Sequence, residues 1–333
     1  MKAKNIKSNP IFEDVKPTKI LDEYLRLVQL DAENFFNDDK RHHINCPACD
    51  NKGKYSFTKN GFKYENCSNC NSLYVSPRPE NEVFKHYYTK GKSVEFWATT
   101  FYKVTSEARR KILWKPKAKM INNIVNKYAE GAKIIDVGGG YGIFAEEMES
   151  ISGNPVTIIE PSSDLAKLCR EKGLIVIDKF LEDVNKNELP SGPKTFVSFE
   201  LFEHLHDPIL FVQQVAELMN SKDIFVFTTL SSSGIDIQAL WENSKSVTPP
   251  EHINFFNPYS IKLLLSKTGL DCLEVTTPGK FDIDILCDNR ELIKDRFLKT
   301  FVTYATKDEK NTWQKMVSKS GWSSHMMVCC QKP

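Results

Sequence analysis

The segment Ile134-Ile135-Asp136-Val137-Gly138-Gly139-Gly140-Tyr141-Gly142 reads as a buried strand that runs straight into a glycine-rich turn. A turn that brings backbone close to a ligand and feeds a helix needs residues without a Cβ, and Gly138, Gly140 and Gly142 supply them at alternate positions. Outward from it, short apolar runs alternate with amphipathic helical stretches. Strands are expected at 133–137, 156–159, 174–177, 195–199 and 223–229, then at 271–276 and 324–331. A helix over 143–150 turns Phe144 and Met148 inward, and the next one turns Leu165, Leu168 and Cys169 inward. A third opens at Asp207-Pro208, a capping residue with proline at the first helical position, and buries Phe211, Val212, Val215 and Leu218. A helix over 258–268 stops at Gly269. The alternation predicts an α/β fold, a Rossmann-like doubly wound sheet of seven strands with helices on both faces.

The second strand ends at Glu160, 24 residues after Asp136, where a carboxylate accepts hydrogen bonds from both hydroxyls of a ribose. Glycine turn and acid together point to an adenosine-containing cofactor. A dinucleotide fingerprint wants its third glycine three residues after the second, and position 143 is Ile. Asp136, just before the turn, suits the orientation of an aminoacyl group. These details select S-adenosylmethionine (SAM) over NAD.

Two further pairs lie where open α/β sheets bind ligands: Glu203-His204 just past the fourth strand, and Glu251-His252 in the loop after the fifth. Methyl transfer from a sulfonium to a hydroxyl or carbon acid needs a base, and an imidazole with a reference pKa of about 6.5 suits neutral pH. His252 and His204 are the base candidates. The plainer roles are a capped turn for His204 and a loop pinned through a backbone carbonyl for His252.

Segment 133–149 resembles the first motif of the class I SAM-dependent methyltransferases, and the resemblance continues in order through Glu160, 179–182 and 199–208. It implies that Glu160 holds the ribose, that Phe180 and Leu181 lie along the adenine, and that Glu200 and its neighbours face the methyl donor. The family often has Asp opening the fourth strand; Thr195 stands there, and no role is assigned to it. Segments 199–208 and 250–256 resemble a bacterial group that includes enzymes modifying nucleotide-linked deoxysugars. There, paired Glu-His motifs line the acceptor pocket, which implies that role for Glu203, His204, Glu251 and His252. The acceptor so implied is a small polar molecule, a sugar nucleotide or a precursor in polysaccharide biosynthesis.

Nine cysteines include two Cys-x-x-Cys pairs, Cys46/Cys49 and Cys67/Cys70, separated by 17 residues. That spacing lets four thiolates converge tetrahedrally on a structural zinc, with no coordination position left for water. The module resembles the zinc ribbons found ahead of methyltransferase domains in this group, and His42 and His43 are spare ligands. The turn-rich text contains strand candidates at 54–58, 62–65 and 73–75. Four segments are therefore expected: an N-terminal helical arm (1–41), a zinc ribbon (42–80), bridging helices rich in aromatics (81–130) and the methyltransferase domain (131–333).

With 333 residues, 41% hydrophobic and 26% charged, the chain is in the ordinary globular range. Forty-five basic against 43 acidic residues, net +2, supply no broad attraction for a polyanion. No apolar run reaches the length of a membrane span and no leader is recognisable, so the expectation is a cytoplasmic enzyme. Two other readings stay open: an RNA methyltransferase that grips nucleic acid with the ribbon through Lys52, Lys54, Lys59, Lys63 and Arg78, and a non-catalytic assembly protein that keeps SAM as a ligand.

Overall fold

The computed structural model describes residues 10–37 and 40–333, so parts of the expected 1–41 arm lie outside the described residues. The chain divides into two compact units that are discontinuous in sequence. The first gathers residues up to 106 with 230–261 and 276–326, and the second contains 107–229, 262–275 and 327–333.

In the first unit, β1 (Arg41–His42), β2 (Gly53–Lys59), β3 (Phe62–Cys67), β4 (Leu73–Val75) and β5 (Arg78–Pro79) follow one another. β1 pairs with β5, and β2, β3 and β4 form an antiparallel meander. In the second unit, β6 (Lys133–Val137), β7 (Val156–Ile159), β8 (Ile175–Ile177), β9 (Lys194–Ser198) and β10 (Ile224–Leu230) build the sheet. The chain then gives β11 (Asn254–Phe255) to the first unit, antiparallel to β4. β12 (Asp271–Thr276) and β13 (His325–Gln331) complete seven strands in the order β12-β13-β10-β9-β6-β7-β8.

The strand order reverses at β6, which pairs in parallel with β7 on one side and β9 on the other. That reversal opens the crevice outside the carboxyl ends of β6, β7 and β9 where such sheets take ligands. β6 starts at the exposed Lys133 and then buries Ile134, Ile135 and Val137 on both faces because both are covered, with Asp136 as its buried acid. Ile134, Ile158, Val197 and Val226 pack with Phe144 and Met148 and with Ala118, Ile121 and Val125 of the helix Lys115–Tyr128. One expectation needs correcting. In the helix Ser163–Glu171 it is Ala166 and Cys169, three apart on one face, that are buried, whereas Leu168 is exposed because it falls off that stripe.

The meander of the first unit shares a core with the loop region after β10. Phe57, Phe62, Tyr64, Leu73 and Val75 pack with Phe36, Phe84, Tyr87, Val247, Ile253 and Phe255. A second cluster, Leu240, Ile283, Leu286, Leu298, Val302 and Val317, joins the helices between 235 and 319. No helix among the described residues is long and apolar enough to cross a membrane.

Candidate active site

The turn after β6 requires its glycines. Gly138, Gly140 and Gly142 all have positive φ (+74°, +55° and +70°), a region costly for residues with a Cβ. At Gly142 a Cβ would lie 2.6 Å from Leu174 Cδ1 and 2.9 Å from Cys169 Sγ. Gly142→Ala is therefore expected to destabilise the protein by about 1–3 kcal/mol, mostly through backbone strain. Urea denaturation would show it, and an unmoved midpoint would contradict the packing described. At Gly140 a Cβ would meet nothing within 4 Å, so that side of the turn is open to a ligand.

Asp136 is 2% exposed at the end of β6, and its Oδ2 has no hydrogen-bond partner among the described residues. Burial, followed by the charge of Glu160, pushes its pKa up to about 7 against the lowering effect of Lys117. Glu160, just past β7, accepts the Gly140 N–H on Oε2 and the Ser162 N–H on Oε1, both at 2.9 Å. Burial raises its pKa and those two bonds oppose the rise. A carboxylate has about four acceptor positions, so one per oxygen remains for a diol. The unpartnered acid, the open face at Gly140 and the spare acceptors on Glu160 fit a cofactor that carries a cation and a ribose. Leu181 is buried and Phe180 is 53% exposed on the segment after β8.

Glu200 follows β9 with φ +53°, a left-handed conformation in a residue that has a Cβ. Its Oε1 accepts from Lys117 Nζ at 2.9 Å and from the Thr228 hydroxyl at 3.0 Å. Lys117 Nζ also lies 4.8 Å from the ring centroids of Trp114 and of Phe199. The next turn, Phe202–His204, buries Glu203, whose Oε2 makes no hydrogen bond of normal geometry. Burial and the charge of Glu200 push the pKa of Glu203 up to about 7, with His204 opposing.

The second Glu-His pair belongs to the first unit. Glu251 is 5% exposed, with its Oε1 accepting from the Tyr87 hydroxyl. His252 Nδ1 lies 2.7 Å from the Ser246 carbonyl oxygen. A carbonyl can only accept, so Nδ1 carries the proton and Nε2 is the acceptor nitrogen of the neutral ring.

The cysteines form two matching knuckles. In each, the residue after the second cysteine sits at positive φ (Asp50 +62°, Asn71 +56°) and sends its N–H back to the carbonyl of the first, Cys46 or Cys67. The four sulfurs lie within 4.8 Å of one another, with Cys46–Cys70 at 3.5 Å and Cys49–Cys67 at 3.4 Å. His42 and His43 stay outside this group, beside Glu80 and Glu65.

A family model described as a methyltransferase domain matches residues 108–275, half of the 333-residue chain. The chain belongs to this methyltransferase family. Its domain is of the class I, SAM-dependent kind, on the seven-stranded Rossmann-like sheet described above. The methyltransferase is similar to the ubiquinone biosynthesis O-methyltransferase of Xanthomonas euvesicatoria pv. vesicatoria, 29% identical over 106 residues, 30% of this chain and 44% of that protein. Similarity to the enzyme of the same name from Actinobacillus pleuropneumoniae is 28% over 109 residues, 30% of this chain and 47% of that protein. The chain thus spans less than half the length of these curated relatives. Among solved structures, a SAM-dependent methyltransferase from Archaeoglobus fulgidus matches with a TM-score of 0.46 and 15% identity, over 69% of this chain and 100% of that one.

The crevice of the methyltransferase thus has the glycine turn, Asp136, Glu160 and Glu200 at adjacent strand ends, with Glu203 in the turn that follows. Sequence reasoning missed Lys117, whose only trace in the sequence is one lysine among several on an amphipathic helix. Thr228, also missed, reads as an ordinary strand residue.

Proposed function

We propose that this methyltransferase moves a methyl group from SAM to a small polar acceptor, a nucleotide-linked sugar or a related surface-glycan or natural-product precursor, with His252 as general base. The Nδ1 contact to the Ser246 carbonyl pins the loop, which is the plainer role, and by the same bond leaves Nε2 as the ring's acceptor nitrogen, the feature that supports the base reading. When bound, SAM supplies an electrophilic methyl on a sulfonium. The chain's residues do the rest: Glu160 takes the ribose hydroxyls, Asp136 the aminoacyl cation, Phe180 and Leu181 the adenine, and Glu200 faces the donor from the end of β9. His204 is the second base candidate, with Glu203 and Glu251, the sequence neighbours of His204 and His252, as the carboxylates that the resemblance places in the lining of the acceptor pocket. The acceptor class rests on the resemblance of 199–208 and 250–256 to enzymes that modify deoxysugar nucleotides, and the cytoplasm is the compartment that fits such substrates.

The cysteine module fits a structural zinc. Ligands at about 2.3 Å in a tetrahedron place sulfurs about 3.8 Å apart, close to the separations found here. Zinc would be held by Cys46, Cys49, Cys67 and Cys70, as the ribbon in a chain ordered along its sequence as arm, ribbon, bridging helices and methyltransferase domain.

Substituting His252 and His204 each by Ala, with SAM affinity and methyl transfer measured separately, tests the mechanism. The expected outcome is an intact SAM affinity and turnover lowered about 10²-fold in His252→Ala. Turnover unchanged in both variants would sink the base assignment. Small molecules and glycans from cells with and without the protein, compared by mass spectrometry for a one-methyl difference, test the acceptor class.

A further inference from the structure

Residues 244–257 of the first unit, which carry Glu251 and His252, are tied to the cysteine module at nearly every turn. Just ahead of the segment Trp241 Nε1 donates to Ser56 Oγ at 3.0 Å, and within it the Ser244 carbonyl oxygen accepts from Lys59 Nζ at 2.8 Å. Asn60 Nδ2 reaches the Pro249 carbonyl oxygen at 2.9 Å. The Tyr64 hydroxyl donates to the carbonyl oxygen of His252 itself at 2.5 Å. Past the loop, Val75 N–H bonds to the Ile253 carbonyl oxygen at 3.0 Å, β11 extends the meander, and Asn257 Nδ2 donates to the carbonyl oxygen of Cys70 at 2.7 Å.

This segment has little structure of its own. β11 is two residues long, and a strand that short holds only as an addition to another sheet. A loop of this length left to itself samples many conformations, and each anchored residue removes part of that entropy. The bond that fixes the His252 tautomer joins two residues of the same loop, Ser246 and His252. Lys59 holds one end of it at Ser244 and Tyr64 the other at His252. The module is therefore placed to decide whether that bond forms.

We propose that the four-cysteine module is a positioning device for the base: metal ligation at Cys46, Cys49, Cys67 and Cys70 stiffens β2–β4, and these strands hold 244–257 so that His252 keeps its Nδ1 proton on Ser246. Tyr64, Lys59 and Asn60 are positioning residues in this account. Its catalytic consequence rests on His252 being the base, whereas its structural content does not.

The test uses the full chain labelled with ¹⁵N-histidine. In metal-loaded protein His252 shows the Nδ1-protonated pattern and the amides of 244–257 exchange slowly with deuterium. Stripping the metal with a chelator is expected to speed exchange about tenfold or more over both 46–75 and 244–257, to replace the His252 pattern by that of a mixed-tautomer imidazole, and to leave 133–137 protected. Faster exchange confined to 46–75, with the loop and His252 unmoved, overturns the proposal. So does a purified chain that holds no metal yet protects both segments. Since stripping can unfold the unit, Tyr64→Phe and Asn60→Gly are measured with metal bound; both leave the cysteines untouched, and glycine tolerates the φ of +46° at position 60. Each is expected to speed exchange across 244–257 and to loosen the tautomer, and no change in either variant overturns the clamp. Turnover that survives His252→Ala would remove the base assignment while leaving these readouts as they are, so the two failures are separable.

Discussion

Asp136→Asn is expected to raise the melting temperature of the ligand-free protein at pH 8 by several degrees and to weaken SAM binding by about 10²- to 10³-fold. Both effects come from one buried oxygen. Oδ2 has no hydrogen-bond partner among the described residues, and burial has lifted the carboxyl from its ordinary range to about 7. The folded state therefore binds a proton more readily than the unfolded one between about pH 4 and pH 7, so stability falls as pH rises through that window, and the deficit is complete above it. Asn cannot ionise, and a neutral buried amide costs less than a buried charge. Its advantage should be largest at pH 8 and should shrink toward pH 4. Glu203, also lifted to about 7 by burial, adds to the same downward slope in the wild type. The loss of affinity follows because the cofactor's cation would enter a site from which its counter-charge has been removed. Thermal melts between pH 4 and 8.5 with calorimetric titration of SAM check both halves. A lower melting temperature at pH 8 together with unchanged SAM affinity would refute the role given to Asp136. A stabilising change that removes binding is expected wherever a site holds strain for its ligand.

The sheet was legible because its evidence is local. Alternation of β6–β10 with helices, the Asp207-Pro208 cap and the left-handed glycines each show within a few residues, and Asp207 does accept the Leu210 N–H. Cys46, Cys49, Cys67 and Cys70 were legible for the same reason: two short spacings imply two knuckles. What stayed hidden is long-range. Nothing near Asn254-Phe255 signals that β11 pairs with β4 some 180 residues earlier, since a two-residue strand has no period to read. The discontinuity of the first unit follows from that pairing and from the core that Val247, Ile253 and Phe255 share with Phe57 and Tyr64. Lys117 was hidden by chemistry, because a lysine on an amphipathic helix is by default solvated and only its neighbours Trp114, Phe199 and Glu200 mark it out. Leu168 was misplaced because a helix of nine residues leaves its apolar stripe uncertain by one position.

Cys67→Ala is expected to take the bound metal from one per chain to none and to abolish the ordered fold of 40–79. Three thiolates and a methyl cannot close a tetrahedral four-sulfur site, and ligation free energy in small metal-stapled modules runs to about 10 kcal/mol or more, the same order as the stability of a whole domain. Without the metal, the meander's remaining support is the core that Phe57, Phe62, Tyr64, Leu73 and Val75 share with residues outside it. β2 has one buried side chain, Phe57, among seven residues, and β4 is three residues long. The matched control is Cys272→Ala, a half-buried thiol outside the module, which should keep the metal and fold normally. Elemental analysis and limited proteolysis between residues 40 and 79 read the result. Metal retained in Cys67→Ala, or 40–79 still resistant to protease after metal is lost, would remove zinc from the account of this segment. Loss of metal with cleavage that spreads to 244–257 would instead tie the two segments into one folding unit, as expected if β11 is held only by its pairing with β4.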